Sequence, residues 1–166
     1  GLVLNDKGYD RARETALDEV HFAFAATETF NRRNQNASVE ESLETAERII
    51  ARTHEDGLRA TVTVGVAFGC PFEGKVDPGT PLGLAERLVA ARADEIVFAD
   101  TVGVGVPRQV RELVEQTLTF AQGKPVGLHL HNTRNTGIAN ALVGVESGAT
   151  VLDASVGGVG GCPFAP

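Results

Sequence analysis

Two histidines separated by a single residue, His129 and His131, end the apolar segment VGLHLH. Residues i and i+2 of a strand point to the same face, so both imidazoles project together from Cα atoms about 6–7 Å apart. Two imidazoles in this arrangement can bind one metal ion, or they can hydrogen-bond within a polar pocket. The spacing alone is compatible with both interpretations.

Further polar residues follow other apolar segments. Asp100 and Thr101 close EIVFAD, Asp153 lies in TVLDAS, and Cys70 follows ATVTVGVAF. In parallel α/β folds the functional groups gather at the carboxyl ends of the strands, so we expect these side chains near one another. A second cysteine, Cys162, lies in the glycine-rich segment VGGVGGCPF.

Short β-branched segments alternate with helical patterns and would position these side chains. Six strands are predicted, at 2–4, 20–25, 60–68, 95–100, 126–131 and 150–155. Helix ends are predicted from a capping box at Ser38 and Glu41, prolines in first turns at Pro81 and Pro107, and stop glycines at Gly123 and Gly148. The first helix is placed within 7–17. Such alternation predicts right-handed βαβ units and a parallel sheet.

Two α/β architectures have this order of elements. An open, doubly wound sheet would be complete with six strands, whereas a (β/α)₈ TIM barrel needs eight strands and about 250 residues and would here be incomplete. The glycine runs 103–107 and 157–163 contain G-x-G, but Arg108 and Pro163 stand in place of the third glycine of a dinucleotide-binding motif. A nicotinamide enzyme is therefore disfavoured.

Composition further narrows the class of protein and the partners that we expect. The 166 residues fit one domain, and 42% hydrophobic with 22% charged residues is typical of a globular protein. The net charge of −7, with no basic stripe, predicts no nucleic-acid partner. No apolar run approaches the roughly 20 residues of a membrane-spanning helix, so no membrane partner and a cytoplasmic location are expected. The two cysteines are too few for a disulfide framework and are expected to be reduced.

Four segments carry a resemblance to a known family. AFGCPFEGKV, FADTVGVGVP, GLHLHNTRNTGIANALVGVESGA and DASVGGVGGCPF are similar, in order and spacing, to the 3-hydroxy-3-methylglutaryl-CoA lyases, which are metal-dependent TIM-barrel enzymes. The resemblance covers essentially the whole chain, and G-G-x-G-G-C-P-[FY] after a strand is specific to this lyase group. The related Claisen-type synthases share the paired histidines but carry N-G-x-G-E-R in that loop. Asn132 departs from the animal lyases, which commonly have Asp there, and matches bacterial relatives with H-x-H-N-T-R.

The resemblance implies a fold and a site. Residues 1–166 would be a single, partial TIM-barrel domain with strands three to eight of the family, and the Arg–Asp pair, the Glu and the Asn of the family site would fall outside it. The implied roles are His129 and His131 as ligands of Mg²⁺ or Mn²⁺, Cys162 and Asp100 as catalytic residues, and Thr101, Asn132, Gly160 and Gly161 as substrate contacts. Cys162 would be a proton donor on a mobile loop, and Asp100 a partner in the proton path or in orienting the site. Two structural alternatives stay open: a small buried hydrophobe for Cys162 and a strand-end cap for Asp100.

The implied activity is cleavage of 3-hydroxy-3-methylglutaryl-CoA to acetyl-CoA and acetoacetate, as in leucine degradation and ketone-body formation. An acyl-CoA is then the expected substrate and a homo-oligomer the expected assembly. We expect the chain on its own to be inactive, because several groups of the implied site lie outside it. The alternatives are a related acyl-CoA lyase, a Claisen-type condensing enzyme on the same barrel, or a metal-binding piece without turnover.

Overall fold

The computed structural model describes residues 1–164. Its strands are β1 (Leu2–Val3), β2 (Glu19–Ala25), β3 (Arg59–Gly65), β4 (Glu95–Asp100), β5 (Val126–Leu130) and β6 (Val151–Asp153). Its helices are α1 (Asp6–Ala12), α2 (Glu28–Gln35), α3 (Val39–Glu55), α4 (Gly79–Ala90), α5 (Pro107–Phe120) and α6 (Gly137–Glu146), followed by a 3₁₀ turn at Val156–Gly158. No helix within these residues is long and apolar enough to cross a membrane.

The strands form one sheet in chain order, β1-β2-β3-β4-β5-β6, and every neighbouring pair is parallel. A doubly wound sheet reverses its strand order at a switch point, whereas a (β/α)₈ barrel adds each strand beside the last one. The order therefore excludes the open alternative. The chain forms six consecutive strands of an eight-stranded barrel, which confirms the predicted incomplete TIM barrel.

The two faces of the sheet carry different residues. On β2, Val20, Phe22 and Phe24 are at most 3% exposed and belong to the hydrophobic core, while His21 and Ala23 alternate with them and are half-buried. The strand register extends the same two faces across the sheet. His21 lies beside Thr61, Ala23 beside Thr63, and Ala99 beside His129. Small and polar residues thus share the concave face, and bulky apolar residues face the helices.

The helix ends follow the predicted signals. The Ser38 hydroxyl accepts a hydrogen bond from the Glu41 backbone N–H at 3.1 Å, and the Ser38 N–H donates to the Glu41 carboxylate at 2.7 Å. This is the predicted capping box, and it starts α3 at Val39. Gly123 and Gly148 follow α5 and α6 with φ of 77° and 105°, a backbone conformation that glycine adopts without strain.

Several predicted boundaries were wrong by one to three residues. The third strand ends at Gly65 and not at 68, because Val66 leaves the strand with a φ of 48°. The fifth strand ends at Leu130, just before His131, and the sixth is limited to 151–153. The first strand ends at Val3, and the first helix begins at Asp6, one residue before the predicted range.

Helix α2 was not predicted at all. Its sequence ETFNRRNQ contains a single apolar side chain, Phe30, so no apolar periodicity marks it as a helix. Phe30 is 4% exposed, and Asn31 is fully buried with its amide bonded to the Ser38 carbonyl and the Ser42 hydroxyl. Tertiary contacts of these two residues hold α2 in place.

Candidate active site

A cavity of about 420 Å³ opens on the concave face toward the carboxyl ends of the strands. Residues from β2 to β6 and from the final glycine-rich segment line it, among them His21, Thr63, Thr101, His129, His131, Asp153, Gly161 and Cys162. An adjoining cavity of about 790 Å³ shares the paired histidines, Asp153, Gly161 and Cys162, and adds Asn132 and Gly160. Seven of the eight predicted site residues therefore line this region, and Asp100 does not.

The two histidines converge as their spacing predicts. The Nε2 atoms of His129 and His131 lie 3.3 Å apart. The opposite ring nitrogen of His129, Nδ1, lies 3.1 Å from the Asp153 carboxylate, which the neighbouring strand β6 places directly beside it. A carboxylate at Nδ1 favours the proton on that nitrogen, and this leaves the Nε2 lone pair directed toward His131.

This geometry fits two ligands of one metal ion. Two ligand atoms about 2.0–2.1 Å from one ion are about 2.9 Å apart at octahedral angles and about 3.3 Å apart at tetrahedral angles, and the observed separation of 3.3 Å is close to both. Burial first, and then the neighbouring His129, lowers the pKa of His131, so that the neutral ligand form is favoured. Within residues 1–164 no third His, Cys, Asp or Glu is grouped with the pair for metal binding. The pair can therefore supply two ligands but not a complete set.

The Asp100 side chain is directed away from the cavity. Its neighbour Ala99 lies on the concave face, so Asp100, the next residue of the strand, points toward the helices. The carboxylate is fully buried and accepts hydrogen bonds from the backbone N–H groups of Val104 and Gly105, both at 2.9 Å. Burial raises the pKa of Asp100, although these N–H groups act in the opposite direction. The contacts support the strand-end cap, and the proton-path role stays a prediction.

Thr101 and Asn132 are fixed by backbone groups next to the cavities. The Thr101 hydroxyl accepts a hydrogen bond from the Val66 N–H at 2.9 Å, where β3 turns sharply. The side-chain oxygen Oδ1 of Asn132 accepts a hydrogen bond from the Gly137 backbone N–H at 2.9 Å, at the start of α6. Both side chains are therefore held in one orientation at the cavity wall, and their substrate contacts stay predictions.

Cys162 follows a glycine-rich loop that begins after β6. Residues 152–161 are exposed, and Gly157, Gly158 and Gly160 have φ of 71°, 68° and 140°. Cys162 itself is half-buried, and it lines both cavities. Both cysteines are free, as the sequence predicts.

Sequence reasoning missed His21 as a cavity residue. Its ring contacts the Thr63 hydroxyl, and both side chains line the cavity that holds the paired histidines. Burial lowers the pKa of His21, which favours its neutral form. Alternation on β2 contained the signal, because His21 stands between the bulky residues Val20 and Phe22 and must share the face of Ala23.

The fold and site together define a TIM-barrel protein with its polar groups at the carboxyl ends of the strands. The family model described as HMGL-like matches residues 2–162, and the chain belongs to this family. The resemblance seen in the sequence is thus confirmed.

Two curated relatives match nearly the whole chain. The (R)-citramalyl-CoA lyase of Chloroflexus aurantiacus is 44% identical over 165 residues, covering 99% of this chain and 52% of the relative. The cytoplasmic 3-hydroxy-3-methylglutaryl-CoA lyase of Danio rerio is 36% identical over 164 residues, covering 99% of this chain and 49% of the relative. The chain thus spans about half the length of these relatives.

A solved structure shows the same fold. An HMG-CoA lyase from Acinetobacter baumannii, in complex with coenzyme A and 3-methylmalate, matches with a TM-score of 0.93 at 36% identity. The match covers 100% of this chain and 54% of that chain.

Proposed function

We propose that the protein carrying this chain is a carbon–carbon lyase that cleaves a 3-hydroxy-3-methyl acyl-CoA to acetyl-CoA and a keto acid. One observation carries the proposal: the converging imidazoles of His129 and His131 and the thiol of Cys162 line the same cavity at the strand ends. A metal-binding pair and a proton-carrying thiol are the two kinds of group that such a cleavage needs. Our first candidate substrate is 3-hydroxy-3-methylglutaryl-CoA.

His129 and His131 are the residues of this chain that would hold Mg²⁺ or Mn²⁺. When bound, a divalent cation supplies Lewis-acid polarisation, which makes the substrate hydroxyl easier to deprotonate. Asp153 fixes the tautomer of His129, so its Nε2 is available to the cation. We place the remaining ligands on barrel segments outside these six strands, which we propose to be strands three to eight.

Cys162 is our candidate for the proton donor. As the hydroxyl proton leaves to a base, the carbonyl of the keto acid forms, the bond between C2 and C3 breaks, and its electron pair passes to the thioester fragment. C2, the carbon next to the thioester carbonyl, then takes a proton from the Cys162 thiol, and acetyl-CoA is released. Half-burial at the cavity edge allows the thiol to reach the substrate while limiting the access of water.

Citramalyl-CoA is a second candidate substrate. It is favoured by the 44% identity with a citramalyl-CoA lyase, against 36% for a 3-hydroxy-3-methylglutaryl-CoA lyase. The two thioesters share the hydroxyl, the methyl group and the thioester, and differ by one methylene before the terminal carboxylate. One methylene contributes about 1–3 kcal/mol of discrimination, so a single site can prefer one and still accept the other.

A coupled assay tests the proposal. The longest polypeptide that carries this sequence is incubated with Mn²⁺ and each thioester, and acetyl-CoA, acetoacetate and pyruvate are measured separately. We expect acetyl-CoA together with acetoacetate from 3-hydroxy-3-methylglutaryl-CoA, or with pyruvate from citramalyl-CoA. Release of acetyl-CoA from neither thioester would refute the proposed function.

Two cysteine variants test the proton donor. Cys162→Ser should bind the thioester but lower kcat at least about a hundredfold, since general acid catalysis contributes about 10²–10⁴-fold. Cys70→Ser is the matched control, because that thiol is buried and hydrogen-bonded to the Thr27 hydroxyl at 3.1 Å. Full activity in Cys162→Ser would remove this cysteine from the mechanism.

A further inference from the structure

Three phenylalanine rings meet beside the cavity. Phe30 of α2 lies 5.9 Å from Phe72 and 5.4 Å from Phe164, measured between ring centroids, and Phe72 lies 5.7 Å from Phe164. Both contacts of Phe164 are edge-to-face, with interplanar angles of 74° and 71°. Aromatic rings attract one another at this distance and in this orientation.

Phe164 is two residues beyond Cys162, and Pro163 between them restricts the backbone. The preceding segment, residues 152–161, is exposed and contains four glycines. Glycine-rich backbone gains much conformational freedom when it is released, so this segment does little to hold Cys162 in place. Cys162 itself packs against the hydrophobic core, and the Phe164 ring adds a second contact on the other side of the thiol.

The surface that the Phe164 ring contacts is more rigid than the glycine-rich segment. Phe72 follows Cys70 and Pro71, as Phe164 follows Cys162 and Pro163, so two C-P-F segments meet through their aromatic residues. Two backbone hydrogen bonds between Cys70 and Gly74, at 2.8 and 2.9 Å, close a tight turn around Phe72. The Arg33 guanidinium lies 4.4 Å from the centre of the Phe72 ring, and Phe30 is 4% exposed.

We propose that Phe30, Phe72 and Phe164 form an aromatic anchor that positions Cys162 at the cavity. The three are positioning residues, because they act through the location of the thiol and not by contact with substrate. The anchor itself depends only on these contacts, while its effect on turnover rests on the proposed function. Each ring pair is worth roughly two- to tenfold in an equilibrium constant, so loss of both pairs of Phe164 should raise the population with Phe164 detached roughly 4- to 100-fold.

The reactivity of Cys162 measures detachment directly. The 166-residue chain is treated with iodoacetamide, and the alkylation of each cysteine is followed by peptide mass spectrometry. In Phe164→Ala we expect Cys162 to react roughly tenfold faster than in wild type. Phe72→Ala should also increase the alkylation rate of Cys162. Cys70 is 5% exposed and serves as an internal reference, because its alkylation reports global unfolding.

Two further variants decide the interpretation. Phe164→Tyr keeps the ring and should restore the wild-type rate. Phe120→Ala is the matched control, because Phe120 is also half-buried but ends α5 near the amino ends of the strands, and it should leave Cys162 unchanged. An unchanged Cys162 rate in Phe164→Ala, or equal acceleration in Phe120→Ala, overturns the anchor.

Kinetics separate the anchor from the lyase proposal. In the active polypeptide, Phe164→Ala should lower kcat about tenfold while KM for the thioester changes less than about twofold, since the change affects proton donation and not ground-state binding. If the wild-type protein cleaves no thioester, the alkylation rates still decide the anchor. If it cleaves one and Phe164→Ala retains full kcat, the effect of the anchor on turnover is refuted and the lyase proposal stands.

Discussion

Replacing Asp100 with asparagine separates its two possible roles, turn cap and catalytic group. In the wild type each carboxylate oxygen accepts one backbone N–H, from Val104 and from Gly105, at 2.9 Å. The asparagine side chain has nearly the same shape and keeps one carbonyl oxygen. It presents an NH₂ group, however, to the other of the two backbone N–H groups. One buried donor therefore loses its acceptor and faces another donor.

The size of the effect follows from these contacts. A hydrogen bond to a charged group contributes about 1.5–3 kcal/mol, and a buried N–H without an acceptor costs about 1–3 kcal/mol. Because these two figures describe the same lost contact, we expect Asp100→Asn to lower the free energy of unfolding by about 2 kcal/mol. With a urea m-value of about 2 kcal/mol/M, the unfolding midpoint should fall by about 1 M.

Urea unfolding followed by circular dichroism at pH 7 measures this shift in the 166-residue chain. Asp77→Asn is the control, since that exposed carboxylate accepts a single N–H, from Gly79. A midpoint in Asp100→Asn within about 0.2 M of the wild type would refute the turn-cap reasoning. Unchanged stability together with strongly reduced turnover in the active polypeptide would instead favour the catalytic role.

The pH dependence provides a second measurement on the same pair of proteins. Burial raises the pKa of Asp100 above its ordinary value of 3.8, so the folded chain binds this proton more tightly than the unfolded chain does. Between 3.8 and the raised pKa, wild type therefore loses stability as pH rises, whereas Asp100→Asn lacks this contribution. The stability difference between the two proteins should narrow as pH rises through this interval. A difference that widens would contradict the raised pKa.

Three further outcomes test the metal pair, the packing and the assembly. We expect calorimetry to detect weak Mn²⁺ binding by the wild type, and His131→Ala should abolish it. His54→Ala, a change outside the cavity, should leave the binding intact, and equal binding in His131→Ala would exclude the pair. Gly144→Ala should lower the urea midpoint by about 1 M, since the added Cβ would lie 2.2 Å from Leu128 Cδ1 in the core; no change would show that the core adapts. The 166-residue chain should self-associate, because α6 exposes apolar side chains such as Ile138 (79% exposed) beside unpaired strand edges; a monomer by light scattering would contradict this.

The parts of the site set by local spacing could be predicted from the sequence. The i, i+2 spacing of His129 and His131 predicted that the rings project together, and their Nε2 atoms lie 3.3 Å apart. The fold followed from the alternation of strands and helices, although alternation alone left two architectures open. Only the strand order, which is a long-range property, distinguished them.

The parts set by tertiary contacts could not be predicted. Asp100 ends a strand like the cavity residues, but every residue of β4 is buried, so the sequence of this strand does not show which of its faces lines the cavity. Val104 and Gly105 bind the carboxylate on the side away from the cavity. Helix α2 lacked an apolar pattern, because Phe30 contacts side chains more than 40 residues away in the sequence. Such contacts are visible only once the strands have been placed.

The cavity itself follows from the size of the residues on the concave face. TIM-barrel interiors are commonly filled by bulky branched side chains, whereas the inward positions next to the histidines are Ala23, Gly65 and Ala99. These residues leave space beside the imidazole pair, while the alternating positions, such as Phe22 and Phe98, fill the layer beneath the helices. One alternating pattern therefore stabilises the sheet on one face and leaves a cavity on the other, so the cavity volume is a property of the strands and not only of the loops.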